Sequence, residues 1–230
     1  LGNTDSVWRN VLKPGGYNVT FHDFGSKLKT AEYIVYTEPN FSGELRKNWS
    51  AIFTNLNQNN FVSNWNIDFS ALKDGGTNYV SVRCWTVAGT TTVVVDAFKV
   101  FVDISVPSII DNVNEETLPW FNTLSNVYFN VDFQSNSGLA LSHFEIKITT
   151  GMYETGKLIS DWEKADDILA AIYTDDWIIS EDKFVMMDQG INYVHIRVFD
   201  LVPTSTTIRN AFYFKKDTVA PIIVDLQDDV

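Results

Sequence analysis

With 230 residues, 45% of them hydrophobic and 14% aromatic, the chain can bury one large core or two ordinary ones and does not have a disordered composition. A net charge of −12 is the wrong sign for binding nucleic acid, where clustered Lys and Arg must neutralise phosphates. No apolar run reaches the ~20 residues of a bilayer span, which argues against direct membrane insertion. The lone Cys84 excludes an internal disulfide or a thiolate metal cluster.

The opening residues, LGNTDSVW, carry neither a charged n-region nor an apolar h-region, so no signal peptide is read there. Period-two alternation between Gly, Asn, Asp and Pro punctuation predicts strands near 17–24, 31–37, 61–69, 78–87 and 92–103. A second set is predicted near 127–133, 143–149, 176–185, 192–200 and 206–216. Between the second and third strands of that set, Ser160-Asp-Trp-Glu163 has the form of a capping box. It precedes KADDILAAIY, so a short helix is predicted there.

The two sets are copies of one unit. GTNYVSVRCWTVAGTTTVVVDAFKVFVDISVPSIID (76–111) aligns without a gap to GINYVHIRVFDLVPTSTTIRNAFYFKKDTVAPIIVD (190–225). WRNVL at 8–12 matches WFNTL at 120–124, YNVTF at 17–21 matches FNVDF at 129–133, and SGELRKNW at 42–49 matches TGKLISDW at 155–162. Boundaries follow: repeat 1 over 1–106, repeat 2 over 107–220 with a longer loop at 150–176, and 221–230 as the start of a linker to a following domain. Asp103, Pro107, Asp217 and Pro221 are the structural residues of the junctions. All of the excess negative charge falls in residues 111–230, which makes the second unit the acidic one.

Strands at this spacing predict an all-β chain of two tandem immunoglobulin-like, fibronectin type III-like β-sandwiches. Tyr79 and Tyr193 each open an alternating strand after a glycine-containing loop. That is the setting of a tyrosine corner, whose hydroxyl bonds backbone a few residues upstream. The pattern Gly-x-x-Tyr-x-x-x-Arg followed by Phe-x-x-x-x-Asp-x-x-x-Pro resembles the tandem Ig-like repeats of large bacterial and archaeal cell-surface proteins. The loop after the Arg strand departs from those repeats, reading TVAGT in one copy and DLVPT in the other.

No arrangement of catalytic residues is read. His22, His143 and His195 have no histidine counterpart in the other copy, and no nucleophile elbow, zinc-protease or phosphate-loop motif occurs. Trp8/Trp120, Trp49/Trp162 and Trp65/Trp177 recur across the copies, so they are expected in the core. Tyr153 and Tyr173 read as aromatics of the long loop alone and become the candidate ligand contacts. Asp161, Asp166, Asp167, Asp175 and Asp176 are a candidate calcium cluster, although no EF-hand loop holds them. No other cofactor is implied.

The resemblance and the duplication imply a non-catalytic spacer or structural module of a larger extracellular or cell-surface repeat protein, with neighbouring repeats as its first partners. Two alternatives accompany it. One is an adhesin or glycan-binding module using the acidic loop of repeat 2 against a cell-surface protein or glycan; the other is an accessory domain pair of a secreted hydrolase.

Overall fold

The computed structural model describes residues 7–224, and the extreme ends, including the linker sequence beyond Val224, lie outside the described residues. The chain divides into two compact units: the residues up to Val106 with Asn136–Leu139 and Val202–Thr204, and the remainder from Pro107 onward.

In unit 1 the strands are β1 (Trp8–Arg9), β2 (Phe21–His22), β3 (Leu28–Glu38), β4 (Ser42–Phe53), β5 (Asn60–Phe61), β6 (Gly76–Thr86) and β7 (Thr91–Val102). They form a five-stranded sheet, β1-β7-β6-β3-β4, and a two-stranded sheet, β2-β5. Unit 2 opens with β8 (Ser108–Asp111), β9 (Trp120–Phe121) and β10 (Val131–Gln134). It continues through β11 (Leu141–Gly151), β12 (Thr155–Asp167) and β13 (Ile172–Tyr173), then helix α1 (Glu181–Met186), β14 (Gly190–Asp200) and β15 (Ser205–Lys216). Its sheets are β12-β11-β14-β15-β9 and β13-β10-β8.

Each unit is thus a two-sheet, all-β sandwich of the immunoglobulin/fibronectin type III kind, with an extra strand on the sheet that carries the hairpin β6–β7 or β14–β15. The first and last long-sheet strands pair in parallel, Trp8 beside Phe101 in unit 1 and Trp120 beside Lys215 in unit 2. Alternation places one face of every strand in the core. In unit 2 Phe129, Phe144, Ile148, Val194, Ile196, Phe212 and Phe214 are buried together; in unit 1 Tyr17, Tyr33, Val35, Val80, Phe98 and Val100 do the same. Phe129 stacks on Phe212 at 4.7 Å and Tyr17 on Phe98 at 4.6 Å, the same pair in both copies.

Three expectations are corrected. The helix expected after Ser160 is strand β12, because the Ser160 hydroxyl donates to the Glu163 carboxylate at 2.6 Å and never reaches a backbone N–H to start a turn. The run at 176–185 is a loop followed by α1, where Phe184 is buried under β15 side chains. Finally, β4 and β12 were not anticipated as strands. They are edge strands, whose charges keep other chains from pairing and hide the period-two pattern.

Candidate functional site

The outer face of the long sheet carries the densest polar chemistry, and both units build it alike. In unit 1 the Arg83 guanidinium lies 3.9 Å from the Trp49 ring centre and 4.5 Å from that of Trp85, while Nε and Nη2 donate to Glu32 at 2.8 and 2.6 Å. In unit 2 Arg197 lies over Trp162 and Phe199 at 4.5 and 5.3 Å, and donates to Glu145. The four positions sit on neighbouring strands at matching register: Glu32 opposite Arg83, and Glu145 opposite Arg197. A guanidinium stacked near two rings and bonded to a carboxylate is held in one orientation, with 27% of the Arg83 side chain and 30% of the Arg197 side chain still exposed. Only the Trp65/Trp177 pair is fully core; Trp49 and Trp162 clamp arginine on the outside, and Trp120 is 59% exposed. The expectation that the repeated tryptophans are core residues therefore fails for the outer-face pairs, because an aromatic can be retained to stack a cation as well as to fill a core.

A second duplicated device ties three strands together. Asp96 and Asn210 occupy bulges of the last strand with φ of 49° and 55°. The Asp96 N–H donates to the Ser81 hydroxyl at 2.9 Å, and the Asn210 N–H donates to His195 Nδ1 at 2.9 Å. The bulge side chains then accept from hairpin N–H groups, Asp96 from Asn40 at 2.9 Å and Asn210 from Tyr153 at 2.7 Å. Tyr153 is thus the counterpart of Asn40, at a turn residue with positive φ; its backbone is held and its ring is exposed.

His195, fully buried, is neutral in this latch. Because Nδ1 accepts, the proton sits on Nε2 and is donated to Thr149 Oγ1 at 2.8 Å, whose own hydrogen goes to the Gly151 carbonyl. Burial pushes its pKa below the ordinary histidine value, with Lys147 and Arg209 in the same direction and Glu154 against them. A depressed folded pKa means that the unfolded chain binds the proton more readily, so stability is lost as pH falls below the unfolded value of ~6.5. In His195→Gln the amide oxygen can still accept from Asn210 without titrating. We expect the wild type to lose stability relative to this variant between pH 7.5 and pH 5, measured by denaturant unfolding; a pH-independent difference would contradict the assignment.

The other two histidines have side-chain partners of their own. His22 bonds Asn60, and His143 stacks on Phe199 at 4.8 Å with Ser142 and Glu145 beside it. That Ser–His–Glu set lies on a strand face, and Glu145 is already engaged by Arg197.

The tyrosine corners are corrected. Tyr79 faces outward, with Lys99 5.1 Å from its ring, and Tyr193 packs on Tyr213. The preceding asparagine reaches back in each copy. Asn78 Oδ1 accepts from the Lys73 N–H at 2.8 Å and its amide donates to the Lys73 carbonyl at 3.0 Å, while Asn192 donates to Asp188 and Gly190. The alternation decides this, since positions 78 and 192 point into the sandwich.

Of the candidate ligand residues, Tyr173 is the register counterpart of Phe61 and its ring packs on Phe133 and Phe144. Its hydroxyl edge meets Asp166 and Asp176 in a shallow pocket of about 270 Å³, shared with Tyr128 and Trp177. Burial raises the phenol pKa, and the carboxylates of Asp166, Asp175 and Asp176 raise it further. Tyr153 lies at the opposite end of the thirteen-residue strand β12, some ~40 Å away at ~3.3 Å per residue, so the two tyrosines make no common site. Asp161 is held by Lys147 at 3.2 Å and Asp167 by Lys164 at 2.9 Å. No group of three or more His, Cys, Asp or Glu that could hold a metal ion is found among the described residues; Asp161, Asp166 and Asp167 lie on edge strand β12, and Asp175 and Asp176 in the loop after β13.

At the junctions, the Asp103 N–H donates to the Arg9 carbonyl and the Asp217 N–H to that of Phe121, which extends the parallel pairing by one bond in each unit. The Asp217 carboxylate accepts from Val219. Pro107 and Pro221 follow four residues later in both copies.

Among the described residues no helix is long and apolar enough to cross a membrane. No family model matches the chain, and no curated protein matches it in sequence. Among solved structures it is similar to a tetra-tandem repeat in the extending region of a large adhesion protein, with 12% identity, a TM-score of 0.36, and 84% of this chain against 43% of that one. It is also similar to the fibronectin(III)-like modules of Clostridium thermocellum CbhA, with 10% identity, a TM-score of 0.31, and 94% and 98% coverage. Protocadherin gammaB7 EC3-6 gives 12% identity, a TM-score of 0.32, and 89% and 44% coverage. The chain therefore spans less than half the length of the adhesion repeat and the protocadherin.

Proposed function

We propose that this chain is a non-catalytic spacer of a larger extracellular or cell-surface repeat protein, in which each unit carries tension between its neighbours. The observation behind this reading is the parallel pairing of first and last long-sheet strands, Trp8 with Phe101 and Trp120 with Lys215. Parallel neighbours start at the same end of the sheet, so the chain enters a unit at one pole and leaves it at the other. Units of this kind can be strung head to tail, and a pull along the chain loads the pairing bonds in shear. The arginine clamps and bulge latches fit the same purpose, since they spend charged and aromatic side chains on stiffness within the unit.

Pulling the chain by its ends in a force spectrometer is the test. Two separate unfolding events are expected, each releasing roughly 35–40 nm, the contour of ~110 residues at ~3.5 Å each. A single event, or extension without resistance, would overturn the reading.

The pocket between Tyr128, Tyr173 and Asp166 favours a second reading, a glycan-contacting surface on unit 2. Aromatic rings beside carboxylates offer a sugar both stacking and hydrogen-bond acceptors.

A further inference from the structure

The outer faces of the two long sheets differ at one position, and the difference opens a hollow. In unit 2 the His143 imidazole stacks on Phe199, with ring centres 4.8 Å apart and an interplanar angle of 13°. Its Nδ1 lies 2.9 Å from the Ser142 hydroxyl and its Nε2 lies 3.5 Å from Glu145 Oε1. The ring is thus seated against an aromatic wall, between a hydroxyl and a carboxylate.

Unit 1 repeats this seat without its ring. Thr30 pairs with Trp85 as His143 pairs with Phe199, so Thr30 takes the place of His143, Glu32 that of Glu145 and Lys29 that of Ser142. Threonine has no ring to lay on the indole. An open hollow of about 300 Å³ lies there, lined by Lys29, Thr30, Glu32, Trp85, Thr86 and Gly89. Both hydrogen bonds from Arg83 go to Glu32 Oε2, and Oε1 matches the oxygen beside His143. The hollow is set by the side chain at position 30, on the neighbouring strands β3 and β6 inside the five-stranded sheet.

We propose that this hollow binds an imidazole-type ring, a flat heterocycle with an N–H on one side and an acceptor nitrogen on the other. The Trp85 indole offers a larger stacking face than the phenyl ring of Phe199. Glu32 accepts the ring N–H, and the Lys29 ammonium donates to the other nitrogen, where Ser142 stands in unit 2. Such a ring can be the histidine side chain of a partner polypeptide or a free heterocycle. The site does not depend on the spacer reading, since it rests on the residues of one sheet face.

The test is a titration of the full chain with imidazole and with N-acetylhistidine methylamide, read by amide and indole NMR shifts. It is run at about pH 8, above the ordinary histidine value of ~6.5, so that the ring is neutral. Thr30, Glu32 and Trp85 should shift saturably, with a Kd on the order of 1–10 mM for so small a ligand. 1-Methylimidazole, which has no N–H to donate, should bind about 10-fold more weakly. Thr30→His should abolish the response by seating its own ring, and His143→Thr should create a second site at Phe199. Tighter binding of N-acetylhistidine methylamide than of imidazole assigns the ring to a polypeptide side chain; the reverse assigns it to a free heterocycle. No saturable shift at Trp85, binding that survives Thr30→His, or an equal response to N-acetylphenylalanine methylamide or glucose would overturn the proposal. So would a His143→Thr chain that keeps its fold and gains no second site.

Discussion

Lys216→Met should destabilise unit 2 by about 2–4 kcal/mol and strip protection from α1, while Lys215→Met stays within ~0.5 kcal/mol of wild type. The Lys216 ammonium is buried and donates to the carbonyls of Phe184, Val185 and Met187 at 2.8, 3.1 and 2.8 Å. These carbonyls lie at the end of the helix, where intrahelical partners run out, although that of Phe184 also accepts from the Met187 N–H at 3.2 Å. Methionine fills the same space and removes all three donors, which leaves buried acceptors unsatisfied. Relief of the cation's desolvation offsets part of the loss, which keeps the expected cost below a sum over three charged hydrogen bonds. Unit 1 provides an internal comparison: its residue at the same place is Val102, and the segment there is a single 3-10 turn, Phe69–Ala71. Denaturant unfolding with amide exchange at Phe184 checks the prediction. If Lys216→Met behaves like Lys215→Met, the cap does not hold the helix.

Asn78→Ala should cost about 2–3 kcal/mol, whereas Tyr79→Phe should change stability by less than ~0.5 kcal/mol. Asn78 satisfies both the N–H and the carbonyl of Lys73 from a fully buried position, holding the loop that carries the chain between sheets. Alanine takes that partner from both part-buried backbone groups and opens a small void where the buried amide sat. Tyr79 has its ring outside, under Lys99, so removing its hydroxyl takes nothing from the crossover. The same contrast is expected for Asn192 and Tyr193, with a smaller effect because Asn192 engages only carbonyls. Thermal unfolding of the four variants decides between the two corners; a larger loss in Tyr79→Phe than in Asn78→Ala would restore the tyrosine.

The duplication was legible because divergent copies retain side chains at spacings that the sandwich requires, such as Asn78/Asn192, Arg83/Arg197 and Phe98/Phe212. Retention does not say which way a side chain points. Arg83 and Trp49 are 34 residues apart and meet only because β4, β3 and β6 lie side by side, so the outer clamp could not be read from spacing. A usable signal was there: an arginine and a tryptophan that both recur belong to a shared structural contact. Tyr173 is not unique to repeat 2: it takes the place of Phe61, at the same 112-residue offset that relates Trp177 to Trp65, with a change of aromatic type in between.

From sequence alone came the all-β class, two copies of one unit, and the acidity of the second. These depend on period-two burial and on composition, both local properties of the chain. The tertiary structure decided what each polar group is for. Asn78 rather than Tyr79 makes the corner, the tryptophans divide between core and cation clamp, and the acidic run becomes a charged edge strand with no metal-binding cluster among the described residues. Those outcomes turn on which strands are neighbours and which face of each is wet, and strand adjacency is a property of the closed sandwich.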